Sequence, residues 1–137
     1  MSPELVVAII GGAVAVLGFA LVVLRKVPKR LKAGKFVNKW RELQKLCAQK
    51  ETWGAAITQA DDLLDESLKK RKKTGKTMGE RLVNAEDAFS NKDAVWQAHK
   101  LANHVRHSGD TPKLKETDVK NALIAFRQAL RDMGAIK

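Results

Sequence analysis

The sequence predicts an all-α protein: an N-terminal transmembrane helix followed by a small cytoplasmic bundle of about five helices. Three observations lead there. Residues 5–24, LVVAIIGGAVAVLGFALVVL, carry no charged side chain. Beyond residue 34, apolar side chains recur at three- and four-residue spacing, without convincing strand-like alternation. Thr, Asn, Gly and Pro fall where such helices would start and stop.

The apolar run is 20 residues long. At about 1.5 Å per residue it spans roughly 30 Å, the hydrocarbon thickness of a bilayer. A buried soluble helix would carry a polar stripe, and this run has none. A cleaved leader is the competing reading, but it wants a basic flank before the run, and MSPE supplies no Lys or Arg. Arg25, Lys26, Lys29, Arg30, Lys32, Lys35, Lys39 and Arg41 follow the run before the first acid, Glu42. Basic flanks stay in the cytoplasm. Residues 1–4 are therefore expected outside, 5–24 across the inner (cytoplasmic) membrane, 25–34 as a basic linker and 35–137 as a cytoplasmic bundle. Within the span, Ala8, Gly12 and Ala15 form a small-residue stripe of the kind that lets membrane helices associate. Small residues are also simply common in spans, and the two readings weigh equally. Cys47, the single cysteine, is then in a reducing compartment and has no internal disulfide partner.

The charge is clustered. Eight positives lie in 25–41 and six more in KKRKKTGK: Lys69, Lys70, Arg71, Lys72, Lys73 and Lys76. These 14 stand against a whole-chain net of +11, which leaves −3 for everything else. A near-neutral body with two basic patches suits anionic lipid head groups or nucleic acid. The anchor favours lipid, since about 1 kcal/mol per basic residue is available near an anionic leaflet. The KTGKT segment lacks the first glycine of a phosphate-binding loop and follows a helix rather than a strand.

The helices are expected over 35–50, 53–72, 78–90, 92–107 and 116–133. Their apolar stripes are Val37/Trp40/Leu43/Cys47, then Trp53/Ile57/Ala60/Leu64/Leu68, Met78/Leu82/Ala85/Phe89, and, in the last, Val119/Leu123/Phe126/Leu130/Met133. Thr77 and Glu80 form a capping-box pattern, Asn91 can cap the fourth helix, and Gly134 can stop the last. The acids Asp61, Asp62, Asp65 and Glu66 read as a solvated helix face near lysines.

In the fourth helix, Ala94, Val95, Ala98, Leu101, Ala102 and Val105 share one face, and Trp96, His99, Asn103 and His107 the other. A solvent face would rather hold Lys, Glu and Gln. This second stripe is expected to be covered by another helix, a partner subunit or a ligand. His104 and His107 are three apart, but His99 points away and no further ligand stands near, so no metal or other cofactor is expected. Ser108 has no visible base to make it a nucleophile.

The segment VWQAHKLANHVRH, residues 95–107, resembles the signature helix of the HEPN superfamily (higher eukaryote and prokaryote nucleotide-binding). These are small helical bundles with ribonuclease members, marked by Arg, four to six residues and then His, often with Asn after the Arg. Trp96, His99, Asn103 and His107 fit, but Ala102 stands where the Arg belongs. Lys100, seven residues before His107, is off the usual spacing, and Arg106 at the stripe's edge is the candidate substitute. The chain is also similar to small membrane-anchored proteins of candidate-phyla bacteria, through the AHKL helix and a GxTMGERL-type segment. The resemblance implies that Arg and His act together on a phosphate, which a guanidinium grips bidentately and an alanine cannot. Asn103 and His107 thus read as the remnant of a catalytic pair, with no catalytic residue assigned and enzymatic activity not expected. The resulting expectation is a membrane-tethered interaction module that binds a second copy or another protein. An HEPN-type RNA-binding or ribonuclease domain is the alternative.

Overall fold

The computed structural model describes residues 33–108 and 113–137, and all its regular elements are helical. The five helices are α1 (Ala33–Lys45), α2 (Trp53–Lys70), α3 (Met78–Asn84), α4 (Lys92–His107) and α5 (Glu116–Asp132). Among the described residues no helix is long and apolar enough to cross a membrane. The run 5–24, with Ala8, Gly12 and Ala15, lies outside the described residues, as do Arg25, Lys26, Lys29, Arg30 and Lys32.

The periodic stripes meet in one core. Trp40, Leu43, Ile57, Ala60, Leu64, Leu68, Leu82, Phe89, Val95, Ala98, Ala102, Val119, Phe126 and Leu130 are all buried in it. Phe36, one residue before the expected stripe of α1, is fully buried, whereas Val37 and Cys47 are only partly so. Two helices are shorter than their periodicity suggests. α1 stops at Lys45 and passes through short 3-10 turns at Leu46–Ala48 and Lys50–Thr52. The Thr52 hydroxyl donates to the Leu46 carbonyl, and the Trp53 indole N–H donates to the Cys47 carbonyl at 2.9 Å. Side chains thus take acceptors that a continuing helix would have used. α3 ends at Asn84 and a 3-10 turn, Glu86–Ala88, carries Phe89 into the core.

Caps explain most of the remaining ends. Asn91 Oδ1 accepts from the Ala94 N–H at 3.1 Å and starts α4. Thr77 Oγ1 accepts from the Glu80 N–H at 3.2 Å, as a capping box requires. Its return half is displaced: Glu80 Oε2 accepts from the Lys76 N–H at 2.7 Å, one residue earlier than the motif prescribes. At Gly134, φ is +74°, and the Ala135 N–H reaches back to the Leu130 carbonyl at 2.8 Å, closing a Schellman turn. The same turn ends α2, with Lys73 N–H to Leu68 O at 2.9 Å, but there the left-handed position is Lys72, at φ +57°.

α1 and α2 are antiparallel. Lys35 and Lys39 from α1 and Lys70 from α2 converge on Glu66, at 3.1, 2.8 and 3.3 Å. The start of α1 therefore sits beside the end of α2. α4 also runs against α2, since His99 meets Asp61 while Val105 packs against Gly54. The Ser90 N–H and hydroxyl both reach Asp132 at 2.9 Å, bringing the end of α5 to the start of α4.

Candidate functional site

Asp61 is fully buried, which corrects the expectation of a solvated acidic face. It lies in the middle of the arc made by Ile57, Ala60, Leu64 and Leu68, so helix geometry directs it inward. An ionised carboxylate in such a place must be paired and hydrogen-bonded. Its Oδ1 accepts from His99 Nδ1 at 2.9 Å and its Oδ2 from Arg106 Nη1 at 2.7 Å. With Nδ1 donating, His99 Nε2 is an acceptor, and Asn103 Nδ2 lies 3.3 Å from it. Asn103 Oδ1 in turn accepts from Arg106 Nη1 at 3.2 Å. The four side chains form a closed ring in which each polar group is answered by another.

Arg106 also donates through Nη2 to Asp62 at 2.7 Å and to the Thr58 carbonyl at 3.3 Å. Burial works against its charge, but the hydrogen bonds and charges of Asp61 and Asp62 outweigh burial and raise its pKa. One turn along α2, Asp65 takes Arg81 bidentately, Nε at 2.7 Å and Nη2 at 3.0 Å. Arg81 Nη1 donates to the Gly75 carbonyl at 2.9 Å, which fastens the α2–α3 loop to the same site. Glu66, held first by its hydrogen bond to Lys39 and then by Lys35 and Lys70 against the opposing effect of burial, has its pKa lowered to about 2. All four acids of the run are thus in ion pairs.

Above the ring opens a cleft of about 410 Å³, whose rim includes Asp62, Thr77, Gly79, Trp96 and Lys100. The Trp96 ring tilts against His99 with centroids 5.8 Å apart. Of the stripe read from the sequence, Trp96, His99 and Asn103 come together here, while His107 is exposed and does not line the cleft. The cover over His99 comes from α2 of the same chain. Ala102 faces the other way and is fully buried in the core.

The basic cluster is only partly neutralised. Lys69 meets Asp65 at 3.5 Å, and Lys70 lies over the Phe36 ring, 5.4 Å from its centroid, as well as against Glu66. Arg71, Lys73 and Lys76 make no ion pair among the described residues.

Asp61, Asp62, Asp65 and Arg81 belong to the site and were not singled out for it by motif. The legible signal was the position of Asp61 on the apolar arc. Chemically, the ring leaves little to react: the acceptor nitrogen of His99 is occupied by Asn103, and Arg106 is shared between two carboxylates. Among the described residues no group of three or more His, Cys, Asp or Glu is placed to hold a metal ion. No known family model matches the chain, and no curated protein or solved structure matches it.

Proposed function

We propose that this chain is a non-enzymatic, single-pass membrane protein whose helical bundle serves as a protein-interaction module on the cytoplasmic side, docking a second copy or another protein. The observation that carries the non-enzymatic part is the occupation of Arg106. A guanidinium held by Asp61 at 2.7 Å and Asp62 at 2.7 Å is in no position to replace the arginine missing at Ala102. The Asn103 of the HEPN-like pattern is likewise engaged in the ring, and His107 stands apart from it.

The membrane part rests on the apolar run at 5–24 and its basic flank. The antiparallel pairing of α1 and α2 supports it, because it returns the 69–76 cluster to the end where the chain enters the bundle. RNA is the competing partner, because Arg71, Lys73 and Lys76 make no ion pair among the described residues and can meet phosphates as well as lipid head groups. Light scattering of the detergent-solubilised full chain, with and without an RNA oligonucleotide, separates the two. The module reading expects a mass that ignores RNA and is the same in His107→Ala. A salt-sensitive RNA complex, or cleavage lost in His107→Ala, would establish the HEPN-type reading instead.

A further inference from the structure

We propose that the bundle lies with one face on the anionic inner leaflet, contacting it through the α2–α3 loop and an apolar ridge of Val83 and Trp96. This rests on the membrane-anchor reading and adds which surface of the domain meets lipid. The tether is short. Residues 25–32 separate the apolar run from α1, and at full extension they reach roughly 28 Å. The end of the bundle where α1 begins is therefore held close to the bilayer. Lys35 and Lys70 share Glu66, so the loop that follows α2 leaves from that same end.

The loop and the ridge are one unit. Arg81 binds the Gly75 carbonyl at 2.9 Å and Asn84 binds the Thr74 carbonyl at 2.7 Å, fixing α3 to the loop. Gly75 has φ +148°, and a Cβ there would stand 2.7 Å from the Arg81 backbone nitrogen, so the loop packs tightly on α3. The Trp96 ring approaches Gly79 at the start of α3, 3.7 Å from where a Cβ would stand. Val83 and Trp96 are 54% and 39% exposed. They flank a groove of about 220 Å³ lined by Leu82, Phe89 and Val95 and also by Glu86, Lys92 and Asp93.

Charge decides the occupant. Lys69, Lys70 and Arg81 are matched by Asp65 and Glu66, but residues 71–76 add four further basic side chains and no acid, whereas the chain outside the two basic clusters nets −3. Arg71, Lys73 and Lys76, without ion pairs among the described residues, leave their charge to anionic head groups. Indole rings partition to the head-group level of a bilayer, and the partly exposed Trp96 ring packs at Gly79, on the helix that Arg81 and Asn84 fasten to the basic loop. Nucleic acid would use the cations and leave Val83 idle. A cationic face of this kind would repel a second copy of itself.

The test reconstitutes the full chain in vesicles of brominated phosphatidylcholine, alone or mixed with brominated phosphatidylglycerol, and reads tryptophan quenching against Trp96→Phe. The expected result is at least about twofold more Trp96 quenching with the anionic lipid, falling to the neutral-lipid level in the double variant Lys73→Glu, Lys76→Glu. Quenching indifferent to phosphatidylglycerol, or unchanged by Trp96→Phe, would overturn the proposal. Alkaline carbonate extraction separates its failure from that of the anchor. Retention in the membrane with Trp96 unquenched overturns the docking alone, and extraction removes the anchor and the tether argument with it.

Discussion

Removing the cation from the buried ring should expose how much of the fold depends on it. In Arg106→Met the stem remains to pack, but Asp61 loses its 2.7 Å partner while staying fully buried. Breaking a buried ion pair costs about 3–5 kcal/mol. Because Arg106 is itself 31% exposed, the expected loss is discounted to about 2–3 kcal/mol. For a domain of this size that lowers the melting temperature by roughly 10–20 °C. The control is Asp62→Ala, which removes the other carboxylate from the same guanidinium. Asp62 is 73% exposed, so its pair with Arg106 is worth below about 1 kcal/mol. Circular dichroism melts of the detergent-solubilised chain measure both. Equal losses in the two variants would refute the claim that Arg106 stabilises chiefly by answering Asp61.

Three further outcomes are expected. Lys72→Gly relieves a left-handed residue at φ +57° and, after the added freedom of the unfolded chain, should stabilise by about 0.5–1 kcal/mol in the same melts. Ala102→Arg, which restores the arginine of the HEPN-like pattern, places a charge at a fully buried core position; it should destabilise by at least about 3 kcal/mol, and an RNA cleavage assay should show no activity gained. Glu66 has a folded pKa of about 2 against an ordinary value of 4.5, so its stabilisation is complete above the ordinary value and is lost as pH falls through the folded one. Wild type should therefore lose more melting temperature than Glu66→Gln across that acid window, and parallel losses would refute the assignment.

The helices were legible because each keeps its apolar residues on one face, and the caps at Asn91 and Gly134 stand where residue type alone suggests. Boundaries were less legible wherever a side chain captures a main-chain carbonyl across a turn, as Thr52 and Trp53 do after α1. Glu80 shows the same limit, since only the folded loop places the Lys76 N–H within its reach. The site was half legible. The stripe of Trp96, His99 and Asn103 follows from helix geometry, but its partner Asp61 lies 38 residues before His99 and had to be found on another helix. Four acids within six residues suggest solvent; the position of Asp61 on the apolar arc is the stronger signal, because direction on a helix outranks local polarity. The partners of Arg106 were hidden in the same way, since Asp61 and Asp62 lie on another helix, 45 and 44 residues before it.

The most direct test of the central claim is the nitrogen-15 spectrum of the His99 imidazole, in wild type and in Asn103→Ala. The closed ring requires the proton on Nδ1, facing Asp61, with Nε2 accepting from Asn103 and changing its shift when Asn103 is truncated. A proton on Nε2, or a His99 spectrum indifferent to Asn103→Ala, would mean the ring is open and the cleft has a histidine available for chemistry.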